Sequence, residues 1–169
     1  MQAVLTHLKE GGRTSKVGLW GRSMGAATAI MYSAQRAENS PVPIAANLLD
    51  SAFATFQDIV NTVVGQMGIP EEFVAMLMPQ IKMSVESKTG MKLDELKPVD
   101  YAKDCQCPVL FIHGCDDDFI TMDHTEKNLE AYGCTDKDAI YCTGDHNAAR
   151  PQETTEACIA FLKKHLKGQ

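Results

Sequence analysis

Three places in the chain carry side chains that could do covalent chemistry together. The run Gly21-Arg22-Ser23-Met24-Gly25 sets a serine between two glycines, just ahead of the small residues Ala26-Ala27-Thr28-Ala29. A sharp strand-to-helix turn leaves no room for side chains two residues either side of the serine. Glycine at both places lets the turn form and lifts the hydroxyl clear. Ser23 then sits at a helix N-terminus, where the Met24 N–H is free to bind a developing oxyanion. A serine nucleophile needs a base, and the base needs a carboxylate to hold its tautomer. Asp116, Asp117 and Asp118 follow an apolar run, and any one of them could be that carboxylate. The same triplet also reads as a solvated acidic loop. His146, in Gly144-Asp145-His146-Asn147, could be the base. A lone histidine is more often structural, but this one follows a strand end, as a base should.

Those residues need elements to position them. Val4, Leu5 and Leu8 predict a short helix over 2–10, stopped by Gly11-Gly12. Short apolar runs predict strands at 16–21, 44–49, 108–113 and 139–143. Small and apolar residues from Gly25 to about Ala37 predict a helix that Pro41 and Pro43 end. Residues 55–88 predict helices broken by Gly65, Gly68 and Pro70, with a joint at Pro79. Pro98 to Gln106 reads as a connection. Asp123 is expected to cap a helix reaching Tyr132. Pro151 is expected at the first position of a last helix ending near Lys167. Strands alternating with helices predict an α/β fold, a mainly parallel four-stranded sheet in sequential order with helices on both faces. Ligand sites in such sheets lie beyond the carboxyl ends of the strands, where Ser23, the acidic triplet and His146 all fall.

Composition narrows the classes further. With 169 residues the chain is one domain by length and long enough to bury a core without staples. A net charge of −6, with no basic cluster longer than Lys163-Lys164, excludes a nucleic-acid binder. No apolar run reaches the roughly 20 residues of a membrane span, and the start lacks a signal-peptide pattern. The six cysteines form no C-x-x-C pair and read as reduced thiols of a cytoplasmic protein. Cys105, Cys107 and nearby His113 do not have zinc-finger spacing, so no metal and no cofactor is expected.

Three segments resemble those of the α/β-hydrolases, in the branch of serine-aminopeptidase-like esterases and thioesterases. GLWGRSMGAATA resembles the nucleophile elbow, PVLFIHGCDDDFI the HGxxDxxV acid segment, and GDHNAARP a GDHNxxRP histidine segment. The order Ser, Asp, His is also that of the family triad. The resemblance implies Ser23 as nucleophile, His146 as general base and then acid, and Asp117, rather than its neighbours, as the orienting carboxylate. Asp50 ends the second strand, where some members carry the acid instead. It also implies a helical cap inserted at about 55–95. Met67, Met76, Met78 and Met83 there suit an apolar acyl substrate, or simply pack the insert on the core.

The expectation is therefore a single domain over 1–169. It would be a serine hydrolase cleaving an ester, thioester or amide of a small-molecule acyl substrate through an acyl-enzyme. Only 22 residues precede Ser23, so the chain resembles the C-terminal portion of such a hydrolase, without the loop that gives the second oxyanion donor. The alternative is a non-catalytic or partner-dependent module, and a third reading is cysteine-based redox or metal chemistry. The strand at 17–21 should have one open edge, through which the chain could self-associate or take a partner chain.

Overall fold

The computed structural model describes residues 1–36 and 39–167. Four strands, β1 (Val17–Arg22), β2 (Ile44–Asp50), β3 (Val109–Gly114) and β4 (Lys137–Cys142), form one sheet in the order β1-β2-β3-β4. All three pairings are parallel, with Leu19 beside Asn47, Leu49 beside Phe111, and Phe111 beside Ala139. The expected order and direction hold. The last strand starts earlier than its apolar run, at Lys137, whose ammonium donates to the Tyr132 and Glu130 carbonyls.

Alternating side chains feed two cores. Leu19, Leu49, Val109 and Phe111 point to one face and meet Ala26, Ala29 and Ile30 of α2 (Met24–Arg36). On that face α2 packs against α5 (Pro98–Ala102), and α5 against α6 (Met122–Ala131). Leu48, Leu110 and Ile112 point to the other face and meet Cys158, Phe161 and Leu162 of α7 (Gln152–Leu166). Every residue of β3 is buried, as befits a strand covered on both sides. The expected end of the second helix at Ala37 lies outside the described residues.

Other boundaries depart from expectation. The connection before β3 contains a short 3₁₀ turn (Leu93–Glu95) as well as α5. Asp123 is not the cap of α6; Thr121 stands there, and Asp123 pairs with its hydroxyl and with Lys127 from the first turn. Pro151 caps α7 from just outside it. Between β2 and β3 lie α3 (Phe56–Met67) and α4 (Glu71–Thr89). Thr55 caps α3 by accepting the Asp58 N–H at 3.0 Å, and Gly68, at φ 63°, ends it. Gly65 does not break α3, and Pro79 is no joint: α4 runs through it to Gly90. No residue of α3 or α4 is buried. Met67, Met76 and Met83 are exposed, so they do not pack the insert on the core, and only Met78 of the four lines the apolar cavity between the two helices.

Helix α1 (Gln2–Glu10) forms as expected, but only Leu5 of Val4, Leu5 and Leu8 is buried. Among the described residues β1 has a strand neighbour on one side only, and Trp20 beside that edge is 54% exposed.

Candidate active site

Each candidate residue sits where a strand gives out. Ser23 follows β1 with a backbone φ of 51°, a left-handed conformation that costs a non-glycine residue about 1–3 kcal/mol. Its N–H donates to the Asp50 carbonyl at 2.9 Å, which ties the turn to the end of β2. The two flanking glycines are not equivalent. A Cβ on Gly21 would run into the backbone of Gly25 and Ala26, whereas one on Gly25 would meet open space. The helix folds back over Gly21, so the steric demand falls there and not on both positions as expected. Met24 opens α2 beside the serine, with its side chain out in solvent.

Asp117 lies in the loop after β3 with its side chain fully buried. One oxygen accepts the N–H of Ile120 at 2.8 Å and of Phe119 at 3.2 Å, and the other accepts His146 Nδ1 at 2.7 Å. Burial alone would raise this carboxyl pKa, but the Ile120 N–H and the His146 contact outweigh it and hold it below the usual carboxylate range. An ionised Asp117 takes the Nδ1–H of the imidazole, which leaves the Nε2 lone pair to accept a proton. Asp116 instead accepts the Gly144 N–H at 2.9 Å, and Asp118 offers its carbonyl to Gln66. Only Asp117 of the triplet meets His146.

His113 serves the same loop from beneath. It is wholly buried, and burial pushes its imidazole pKa down. The neutral ring donates Nε2–H to the Ile120 carbonyl and accepts the Thr125 hydroxyl at Nδ1, both at 2.8 Å. It is therefore committed away from Cys105 and Cys107. Cys105 donates to the Ile30 carbonyl, and burial pushes its thiol up to about 12. Among the described residues no group of three or more His, Cys, Asp or Glu could hold a metal ion.

Ser23 and Met24 line a cavity of about 540 Å³ with Phe53, Phe56, Ile59 and Phe119. The Phe119 ring packs edge-on to His146 with centroids 5.2 Å apart, so serine and histidine flank one aromatic side chain. Among the described residues no hydrogen bond joins the Ser23 hydroxyl to His146. Phe56, Ile59 and Phe119 also line the second cavity, about 390 Å³, between α3 and α4. Asp50 does not approach His146: its carboxylate is held by Arg22 and Arg150, both at 2.8 Å. Neither arginine is singled out by sequence reasoning. Their only signal is that each stands in a segment already quoted, Arg22 beside Ser23 and Arg150 four residues after His146.

A strained serine between strand and helix, and an acid–histidine pair beyond later parallel strands, define the α/β-hydrolase fold, here the C-terminal portion of it. Solved structures agree. An esterase from Pyrococcus furiosus superposes with a TM-score of 0.71 at 18% identity, over 98% of this chain and 60% of that one. A monoacylglycerol lipase from Paleococcus ferrophilus gives 0.62 at 18% identity, over 96% and 73%. In sequence, the chain is 30% identical over 116 residues to the uncharacterized protein YqkD of Bacillus subtilis (strain 168). That match covers 68% of this chain and 36% of the relative, so the chain spans about a third of that protein's length. No family profile matches the chain.

Proposed function

We propose that the chain is a serine hydrolase that cleaves an ester, thioester or amide through Ser23, His146 and Asp117. The observation that carries this reading is the 2.7 Å bond from His146 Nδ1 to a fully buried Asp117 carboxylate, beside the cavity that Ser23 lines. Ser23 Oγ attacks the acyl carbonyl while His146 Nε2 takes its proton. The Met24 N–H receives the oxyanion at the start of α2. The histidine then protonates the leaving group, and water admitted to the same base hydrolyses the acyl-enzyme. Because catalytic hydrogen bonds often close only around substrate, the serine–histidine contact forms on acyl binding.

The chain acts as one domain in this reading, with the helices between 55 and 95 as a cap. The two apolar cavities meet at Phe56, Ile59 and Phe119, which favours an apolar acyl group running from Ser23 between α3 and α4. Among the described residues no helix is long and apolar enough to cross a membrane. Six free cysteines support a cytoplasmic setting. In a folded preparation, Ser23→Ala should abolish hydrolysis of a short-chain aryl ester. Activity that survives the substitution would move the nucleophile elsewhere.

One observation favours a partner-dependent version of the same reading. The unpaired side of β1 and the exposed Trp20 leave backbone groups and an aromatic surface open to a second chain. Sedimentation should then show association that Trp20→Lys weakens; a monomer at all concentrations removes this version.

A further inference from the structure

We propose that Arg150, clamped on Asp50 together with Arg22, is a positioning residue that holds His146 in register with Asp117 and Ser23. The proposal rests on the role given to His146 above. Asp50 ends β2 and is almost fully buried, as is the Arg150 side chain. Arg150 chelates the carboxylate through Nε and one terminal nitrogen, and that nitrogen also donates to the Ser51 hydroxyl at 3.0 Å. Arg22 takes the other side of Asp50 through Nε, at 2.8 Å.

Each guanidinium then has an arm to spare, and both arms reach the histidine loop. Arg150 donates to the Asp145 carbonyl at 2.9 Å, and Arg22 to the Ala148 carbonyl at 3.2 Å. Those carbonyls bracket His146. Arg22 is also the residue before Ser23, whose N–H bonds to the Asp50 carbonyl. One carboxylate therefore joins the serine turn, the end of β2 and the histidine loop. Room for this is built in: a Cβ at Gly114 would strike the Gly144 carbonyl and the Arg150 guanidinium.

A burial of this kind is poorly explained by stability, since a buried ion network is often no better than apolar packing in its place. It does fix geometry, because planar forks bind carboxylate and carbonyl in set directions. The histidine loop has no helix or strand of its own between β4 and α7.

The test uses the full chain labelled with ¹⁵N-histidine. The His146 Nδ1–H, bonded to Asp117, should give a protected downfield proton, assigned by its absence in His146→Gln. In Arg150→Ala that signal should vanish while circular dichroism stays native, and millimolar guanidinium should restore it. Labelling of Ser23 by a fluorophosphonate should fall by about 10²-fold and recover likewise. If Arg150→Ala does not fold, Arg22→Met carries the same readouts, with a fall of about 10-fold expected. A signal and labelling rate unchanged in a folded variant would overturn the proposal. A wild type that never labels, yet loses the His146 signal in the variant, would sink the hydrolase reading and leave the positioning role standing.

Discussion

Asp117 has no exposed side-chain surface and both of its oxygens engaged, whereas not one residue of α3 or α4 is buried. The acid loop hangs from β3, the most buried strand, and is propped from below by His113 and Thr125. Those two helices touch the rest of the molecule at a few polar points, such as Gln66 to the Asp118 carbonyl and Lys127 to Asp58. Their apolar residues line cavities, and Ile59 alone of them packs on the small buried cluster of Ala27, Phe53 and Ile120. A group that must hold an imidazole to a fraction of an ångström is built from short directed bonds on a rigid sheet. In the proposed reading, the surface of α3 and α4 need only receive an apolar group, and it is left half open with side chains that can shift.

The sharpest way to break this contrast is to disturb the rigid half. Asp117→Asn should lower turnover of an aryl acetate by roughly 10⁴-fold, because the amide favours the wrong imidazole tautomer. The same substitution reports on stability. The folded pKa of Asp117 lies below its unfolded value, so the carboxylate stabilises the fold fully above about pH 4. That contribution disappears as pH falls through the folded value. The gap in melting temperature between wild type and Asp117→Asn should therefore be constant from neutral pH down to about 4 and close below it. A gap that widens on acidification would contradict the assigned charge state.

Disturbing the cap should act on substrate choice instead. Leu77 and Ile81 are both about half exposed and line the inner cavity. Leu77→Ala with Ile81→Ala should raise KM for an octanoyl ester by roughly 10-fold, the loss of about two methylene contacts at ~0.8 kcal/mol each. Acetate turnover and melting temperature should stay near wild type. Equal losses on both esters would mean that the cap shapes the chemistry rather than the acyl site. The smallest effect is expected at Thr55, whose hydroxyl caps α3. Thr55→Ala should cost about 1 kcal/mol. Hydrogen exchange should show it in α3 amides and not in β3, where a uniform change would mean that cap and sheet unfold together.

The two halves also differed in how well they could be read from sequence. Val109–Ile112 is an unbroken apolar run, and Ile44–Leu49 is apolar but for Asn47; a strand buried on both faces leaves that trace. Asp117 and His146 could be picked out by the segments they stand in. The Arg22–Asp50–Arg150 cluster could not, since its members are 28 and 100 residues apart and meet only once the sheet has formed. Asp50 could be seen as a spare acid but not as a carboxylate already committed to two arginines. In the cap, Pro79 suggested a joint because the ring removes one donor and crowds the preceding turn. A long, half-exposed helix with no core contact to disturb runs through it all the same.

In the proposed function Ser23 is a nucleophile served by the Asp117–His146 pair. The most direct measurement is to treat the folded chain with a fluorophosphonate and locate the adduct by peptide mass spectrometry. A single adduct on Ser23 is expected, formed in wild type and lost in His146→Ala. Modification of another residue, or labelling of Ser23 that persists undiminished without His146, would contradict it.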